Sequence, residues 1–135
     1  MRLATPLQRL GSYFIDWLIA FLITFPCNLV ILTAESEILV VFFLLLTGTL
    51  NLGYLVVQIY FMTKGKSIGK HLTGLQVVNN LNREPLNFWK MLLRETIGKF
   101  ISGFVFSLGY IWILIDDDNQ AWHDKLVDSK VMDIK

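Results

Sequence analysis

The chain is poor in the residues that build disulfide or metal scaffolds: its 135 positions include one cysteine and two histidines. A lone Cys27 closes no internal disulfide and founds no thiolate cluster, so it reads as a small packing residue within an apolar run. His71 and His123 are too isolated to argue for zinc. Charge is scarce as well, at 17% of residues against about 25% in soluble domains. Between Gly11 and Met62 the only charged residues are Asp16, Glu35 and Glu37. A soluble protein needs polar surface on every element, and this stretch cannot supply it.

What the chain has instead is long apolar sequence: 54% of residues are hydrophobic and the mean hydropathy is +0.54. A membrane is the environment that suits it. A first helix is predicted from Leu7 to Leu32, with a kink at Pro26. Its apolar run from Tyr13 exceeds the about 7–15 residues of a signal-peptide core, and no small-x-small site closes it, so it reads as an uncleaved anchor. A second is predicted from Ile38 to Phe61. Twenty helical residues reach about 30 Å, the thickness of a hydrocarbon core. Thr47, Gly48, Thr49, Asn51 and Gly53 would let the second helix pack closely in a bundle. A role in lining a substrate path makes Asn51 and Gln58 secondary candidates.

Glu35 and Glu37 form an acidic turn between these helices, whereas Lys64 to Lys99 carries seven Lys/Arg against two acids, and Arg2 and Arg9 join the same side. The positive-inside rule then places the N-terminus and the 64–99 connection in the cytoplasm of a bacterial inner-membrane protein. A strand is predicted over Leu72–Val78, a turn at 79–85, and a helix from Phe88 with Asn87 as its N-cap. From Ile97 to Ile115 the chain is apolar again except for Lys99. This is either a third span or part of a helical hairpin over Phe88–Ile115, bending near Ser102-Gly103 or Ser107-Leu108-Gly109. Twenty-eight helical residues would reach about 42 Å, long for one crossing and short for two.

Several groups could carry chemistry. Arg9 and Asp16 lie two turns apart on one helical face, and Asp16 sits among apolar residues, where a carboxylate pairs or takes a proton. Arg94 either marks a solvated helix end or points inward to an acid, while Glu95 and Lys99 form an i,i+4 pair. Asp116-Asp117-Asp118 reads as a solvated connector, because a calcium loop would need a glycine and a glutamate that are missing. Gly65-Lys66-Ser67 ends like a phosphate loop, but Tyr60 stands where its first glycine belongs. The basic connection has no nucleic-acid signature; lipid is its expected partner. No nucleophile–histidine arrangement is found, and neither an enzyme activity nor a cofactor is expected.

Three separated blocks resemble the RDD family, named for an arginine and two aspartates. They are Arg9-Leu10-Gly11-Ser12-Tyr13-Phe14-Ile15-Asp16, the glycine-rich stretch Gly65-Lys66-Ser67-Ile68-Gly69-Lys70-His71-Leu72-Thr73-Gly74-Leu75-Gln76-Val77-Val78, and Trp122-His123-Asp124-Lys125-Leu126. Arg94 also stands where members usually carry an arginine. The chain departs from the pattern at Asn119-Gln120 and Val127-Asp128-Ser129, so any cation beside Asp124 must come from Arg9 or Arg94. The resemblance implies a single membrane domain over 1–135 and suggests that the last block returns to the glycine-rich connection. Ser129–Ile134 would then pair with Leu75–Asn80 as cytoplasmic strands. The fold class expected is an all-α transmembrane bundle: two full spans, a C-terminal apolar hairpin or third span, and a small β-strand pair. The function expected is transport or ion exchange through Arg9, Asp16, Arg94 and Asp124, with Glu95 and His123 secondary. A homo-oligomer would be needed to enclose a path. The alternative is an accessory or scaffold subunit docked on an unlike membrane partner.

Overall fold

The fold is given by a computed structural model that describes residues 1–98, 100 and 111–135. A two-residue strand, β1 (Arg2–Leu3), leads into the long helix α1 (Pro6–Thr33). Thr5 starts that helix with a reciprocal cap: its hydroxyl accepts from the Gln8 N–H at 3.2 Å, and the Gln8 Oε1 accepts from the Thr5 N–H at 2.9 Å. Pro6, which has no N–H to leave orphaned, occupies the first helical position. Pro26 lies inside the helix without ending it. A three-residue turn, Ala34-Glu35-Ser36, then folds α2 (Glu37–Met62) back against α1.

Twenty-eight and 26 residues correspond to about 42 and 39 Å of helix. Both are long and apolar enough to cross a membrane. Only 6% of the apolar window of α1 is buried inside the protein, and none of that of α2, so neither is the core helix of a water-soluble domain. Trp17, Phe21 and Phe25 stack in sequence along the outside of α1, at 5.3 and 4.7 Å between ring centroids. Of the small and polar residues expected to pack in a bundle, Thr47 is half-buried and the others lie open among the described residues. Gly48, Thr49, Asn51 and Gly53 are exposed, and a Cβ added at either glycine would meet no atom within 4 Å.

The polar end of the helix pair is closed by short elements. Helix α3 (Ile68–Thr73) precedes strand β2 (Leu75–Asn79); helix α4 (Phe88–Leu93) runs into a π-helical turn at Arg94–Gly98. After a 3-10 turn at Trp112–Leu114 come helix α5 (Trp122–Leu126) and strand β3 (Ser129–Asp133). The strand expected over Leu72–Val78 therefore begins later. Leu72 and Thr73 still belong to α3, and Gly74, at φ +75°, supplies the left-handed residue that ends a helix without Cβ strain. The proposed hairpin bends at 102–103 and 107–109 lie outside the described residues, as does the Lys99 half of the Glu95–Lys99 pair.

β2 and β3 pair antiparallel from Leu75↔Asp133 to Asn79↔Ser129. β1 adds on the other edge of β3, through Arg2↔Asp133 and Leu3↔Met132, so the sheet has three strands in the order β1-β3-β2 where a pair was expected. One face of the sheet buries Leu75, Val77 and Val131 with Ala4, Met62, Leu86, Met91 and Val127. This small core holds the beginning of α1, the end of α2 and the C-terminal segment at one end of the molecule.

Candidate functional site

Above this core lies a group of charged side chains withdrawn from solvent. Arg9, Lys70, Arg94, His123 and Asp124 are all at most 2% exposed. Such residues are almost never fully buried unless paired, and here they pair. Asp124, on α5, is the common acceptor. Its Oδ1 accepts from the Arg94 Nε at 2.7 Å, with Arg94 Nη2 also 2.7 Å away, and its Oδ2 accepts from the Arg9 Nη2. Oδ2 also accepts from the Ala121 N–H at 3.0 Å, which places the carboxylate as a cap on the start of α5. Arg9 also donates to the Asn119 carbonyl, and Arg94 to the Glu95 Oε1 at 2.6 Å; among the described residues the buried Arg9 Nε and Arg94 Nη2 find no hydrogen-bond acceptor.

Burial pushes the Asp124 carboxyl up, but the facing guanidiniums of Arg94 and Arg9 outweigh that cost and hold it well below the usual carboxylate range. Burial, reinforced by Arg94, pushes His123 down to about 3, so the ring is neutral at ordinary pH. His123 Nε2 lies 3.3 Å from the Tyr13 hydroxyl, which links α5 to the inner face of α1.

Asp16 makes a different connection. Its Oδ2 accepts from the Ser67 hydroxyl and its Oδ1 from the Gly69 N–H, both at 2.6 Å. Ser67 is the N-cap of α3, and its hydroxyl also accepts from the Lys70 N–H at 3.2 Å. Among the described residues no cation lies within ion-pair distance of Asp16. The expected partnerships of Asp16 with Arg9 or Arg94 are therefore not formed. Both arginines turn to Asp124, because sheet pairing brings α5 to the start of α1, while α3 presents neutral donors to Asp16.

The two groups are joined by Lys70. Its Nζ stands 3.5 Å from the Ser67 Oγ, 3.6 Å from the Glu95 Oε1 and 4.7 Å from the Tyr13 ring centroid. A polar chain thus runs from Asp16 through Ser67, Lys70, Glu95, Arg94 and Asp124 to Arg9. It returns to α1 about two turns from where it began. Among the described residues, three basic and three acidic side chains take part.

Of the residues singled out from sequence, Arg9, Arg94, Glu95, His123 and Asp124 meet directly, and Asp16 joins through Ser67 and Lys70. Asn51 and Gln58 stay apart. Asn51 is exposed and donates to the Thr47 carbonyl of its own helix at 2.9 Å; Gln58 accepts from the Ile68 N–H at 3.3 Å. Ser67, Lys70 and the Asn119 carbonyl were not foreseen as participants; Ser67 and Lys70 were visible only as members of the glycine-rich stretch. In the acidic connector Asp117 is exposed, Asp116 pairs with Lys125, and Asp118, its side chain 47% exposed, lies 2.9 Å from Lys130. Among the described residues no group of His, Cys, Asp or Glu is arranged to hold a metal ion.

Two long, outwardly apolar helices fastened at one end by a buried arginine–aspartate centre define a helical membrane protein with two candidate spans. The family model of the RDD family matches residues 3–128, which include the whole polar chain, and the protein belongs to that family. No curated protein and no solved structure matches it.

Proposed function

We propose that the protein exchanges or transports ions across the bacterial inner membrane, and that Asp16 is the carboxylate that takes up the exchanged cation or proton. The observation that carries this reading is the environment of Asp16. It sits half-buried on a candidate span and, among the described residues, is held by a hydroxyl and an amide rather than by a cation. A carboxylate already neutralised by arginine, as Asp124 is, has little to offer an incoming cation. One held by neutral donors can exchange.

In this reading the N-terminus lies in the cytoplasm, where the seven Lys/Arg of 64–99 also belong. The shared sheet of β1, β2 and β3 supports placing the tail there too. Two candidate spans enclose little by themselves, and a homo-oligomer would complete a path. The open small-residue face of α2 at Gly48 and Gly53 suits close contact between copies. No enzymatic step and no cofactor are needed.

A scaffold subunit docked on an unlike membrane protein is the second reading, and the saturation of Asp124 favours it. A closed salt-bridged centre fixes structure whether or not anything moves through the protein. Proteoliposome measurements of cation and proton flux separate the two. Under the exchange reading Asp16→Asn abolishes flux and leaves a folded oligomer. A wild-type protein without flux that co-purifies with a stoichiometric unlike partner supports the scaffold.

A further inference from the structure

We infer that α2 carries a contact for a second copy of this chain, centred on the exposed carboxamide of Asn51. Asn51 lies about 21 Å from the Glu37 end of the helix and about 16 Å from the Met62 end. That is the middle of a candidate span. The side chain is exposed there, and its Nδ2 donates to the Thr47 carbonyl of its own helix at 2.9 Å. Among the described residues its carboxamide oxygen accepts no hydrogen bond. The second N–H of the amide is also open. Hydrocarbon holds no water to meet these groups, so leaving them open costs free energy that a protein neighbour removes.

The surroundings of Asn51 suit a helix laid alongside. Val41, Leu44, Gly48, Asn51 and Leu55 follow one another at steps of three and four residues, and all five are exposed. Such spacing keeps one seam turned to a neighbouring helix at the about 20° crossing of paired membrane helices. Tyr54, on the side that meets α1, donates to the Asp16 carbonyl at 3.3 Å. Asn51 stands about 60° round the helix from it, so the seam runs beside the α1 contact. At Gly48, one turn from Asn51, a Cβ would meet no atom within 4 Å, which lets another backbone come close.

Copies with the same charge distribution insert in the same orientation, so two α2 helices side by side run parallel. Across a two-fold axis each residue then meets its own counterpart at equal depth. A lysine or a carboxylate at that position would face its own charge. A carboxamide carries both donor and acceptor and bonds reciprocally to another. Lipid tails offer it neither, and an unlike helix would need a polar group at the same depth. An asparagine at one position of such a seam also fixes register and copy number.

The contact rests on the homo-oligomer that the exchange reading calls for, but association is measured without transport, so either can fail alone. In a Cys27→Ser background, copies carrying Ser36→Cys and a donor or acceptor dye are mixed in liposomes. Energy transfer should rise with the protein-to-lipid ratio as a two-copy complex requires. Asn51→Leu should weaken association about tenfold, the scale of a lost hydrogen bond between membrane helices. Asn51→Gln, which keeps the amide, should retain more of it. A membrane-soluble oxidant should join copies carrying Leu44→Cys or Leu55→Cys by a disulfide. It should leave Phe42→Cys and Thr49→Cys, turned more than about 100° from the seam, as single chains. Energy transfer no greater than that of a non-associating membrane protein overturns the contact. So does an Asn51→Leu variant that associates as tightly, or cross-linking at 42 and 49 in place of 44 and 55. An unlike protein found covering Leu44 and Leu55 overturns it too. Flux without self-association sinks the contact and leaves the exchange reading standing; self-association without flux does the reverse.

Discussion

Gly69 lies so close to Ser12 that no side chain fits between α3 and α1: a Cβ at Gly69 would collide with the Ser12 carbonyl oxygen and stand 2.9 Å from the Asp16 Cγ. Contact at this point is what lets the Gly69 N–H reach the carboxylate.

Gly69→Ala therefore forces α3 away from α1 and breaks the bond to Asp16. The cost expected is about 1–3 kcal/mol for overpacking, read as a lower melting temperature in detergent. Gly11→Ala is the control on the facing helix α1, with open space around it. It should be neutral or stabilising by up to about 1 kcal/mol, because alanine favours a helix over glycine. Equal losses for the two variants would show that the α1–α3 contact is not tight.

Asp124→Asn removes a carboxylate that faces both Arg9 and Arg94. Breaking a buried pair costs about 3–5 kcal/mol because the remaining charges stay buried. Arg9→Gln and Arg94→Gln should each destabilise strongly, and the double variant less than their sum, since each single change already strips Asp124 of a partner. Chemical unfolding of the purified protein measures all four, and a loss below about 1 kcal/mol for Asp124→Asn contradicts the arrangement.

His123 sets a pH dependence whose sign follows from its depressed pKa. In the unfolded chain it titrates near about 6.5; in the folded protein it is held down to about 3. Between these values the unfolded chain binds a proton that the folded protein refuses. Stability is thus complete above about pH 6.5 and falls as pH drops, by up to about 1.4 kcal/mol per unit. Asp124, held low, adds its own loss only below about pH 4. Thermal unfolding from pH 7.5 to 4.5 should show the slope, and His123→Gln should flatten it. A slope unchanged by that substitution assigns it elsewhere.

The three-stranded sheet predicts where the tail is found. In a Cys27→Ser background, a cysteine replacing Lys130 should resist a membrane-impermeant maleimide applied to intact cells, and one replacing Ser36 should react. Both positions should react once the membrane is opened. Ready labelling at position 130 in intact cells would separate the tail from β2 and overturn the sheet.

The two long helices were legible in the sequence almost to their ends: Leu7–Leu32 and Ile38–Phe61 were expected, and Pro6–Thr33 and Glu37–Met62 are found. Unbroken apolar composition over a full span leaves few alternatives. The start of β2 was less legible, because β-formers such as Thr73 also fit a short helix, and Gly74 permits either a strand or a left-handed helix end. The partners of the arginines could not be read from charge spacing; only the resemblance pointed to Arg9 or Arg94 as the cation beside Asp124. Arg9 lies 115 positions from Asp124 in the chain, and which acid it meets is decided by sheet pairing, about which charge spacing carries no information. Lys70 was hidden for another reason. It stands in a basic stretch that reads as solvated, and only packing against α1 shows that it is enclosed.

The middle strand of the sheet, β3, is also the last to be synthesised. Since chains emerge from the ribosome in order, at about 5–20 residues per second, β1 and β2 must wait some seconds for the strand that lies between them. Arg9 waits equally long for Asp124. During that interval the N-terminal arginine has no counter-ion from the C-terminal segment and no reason to leave water. The first helix can enter the bilayer early, but its lower end is fastened only when the other end of the chain arrives. A chain cut short before Asp124 would keep both long helices and leave the clasp open.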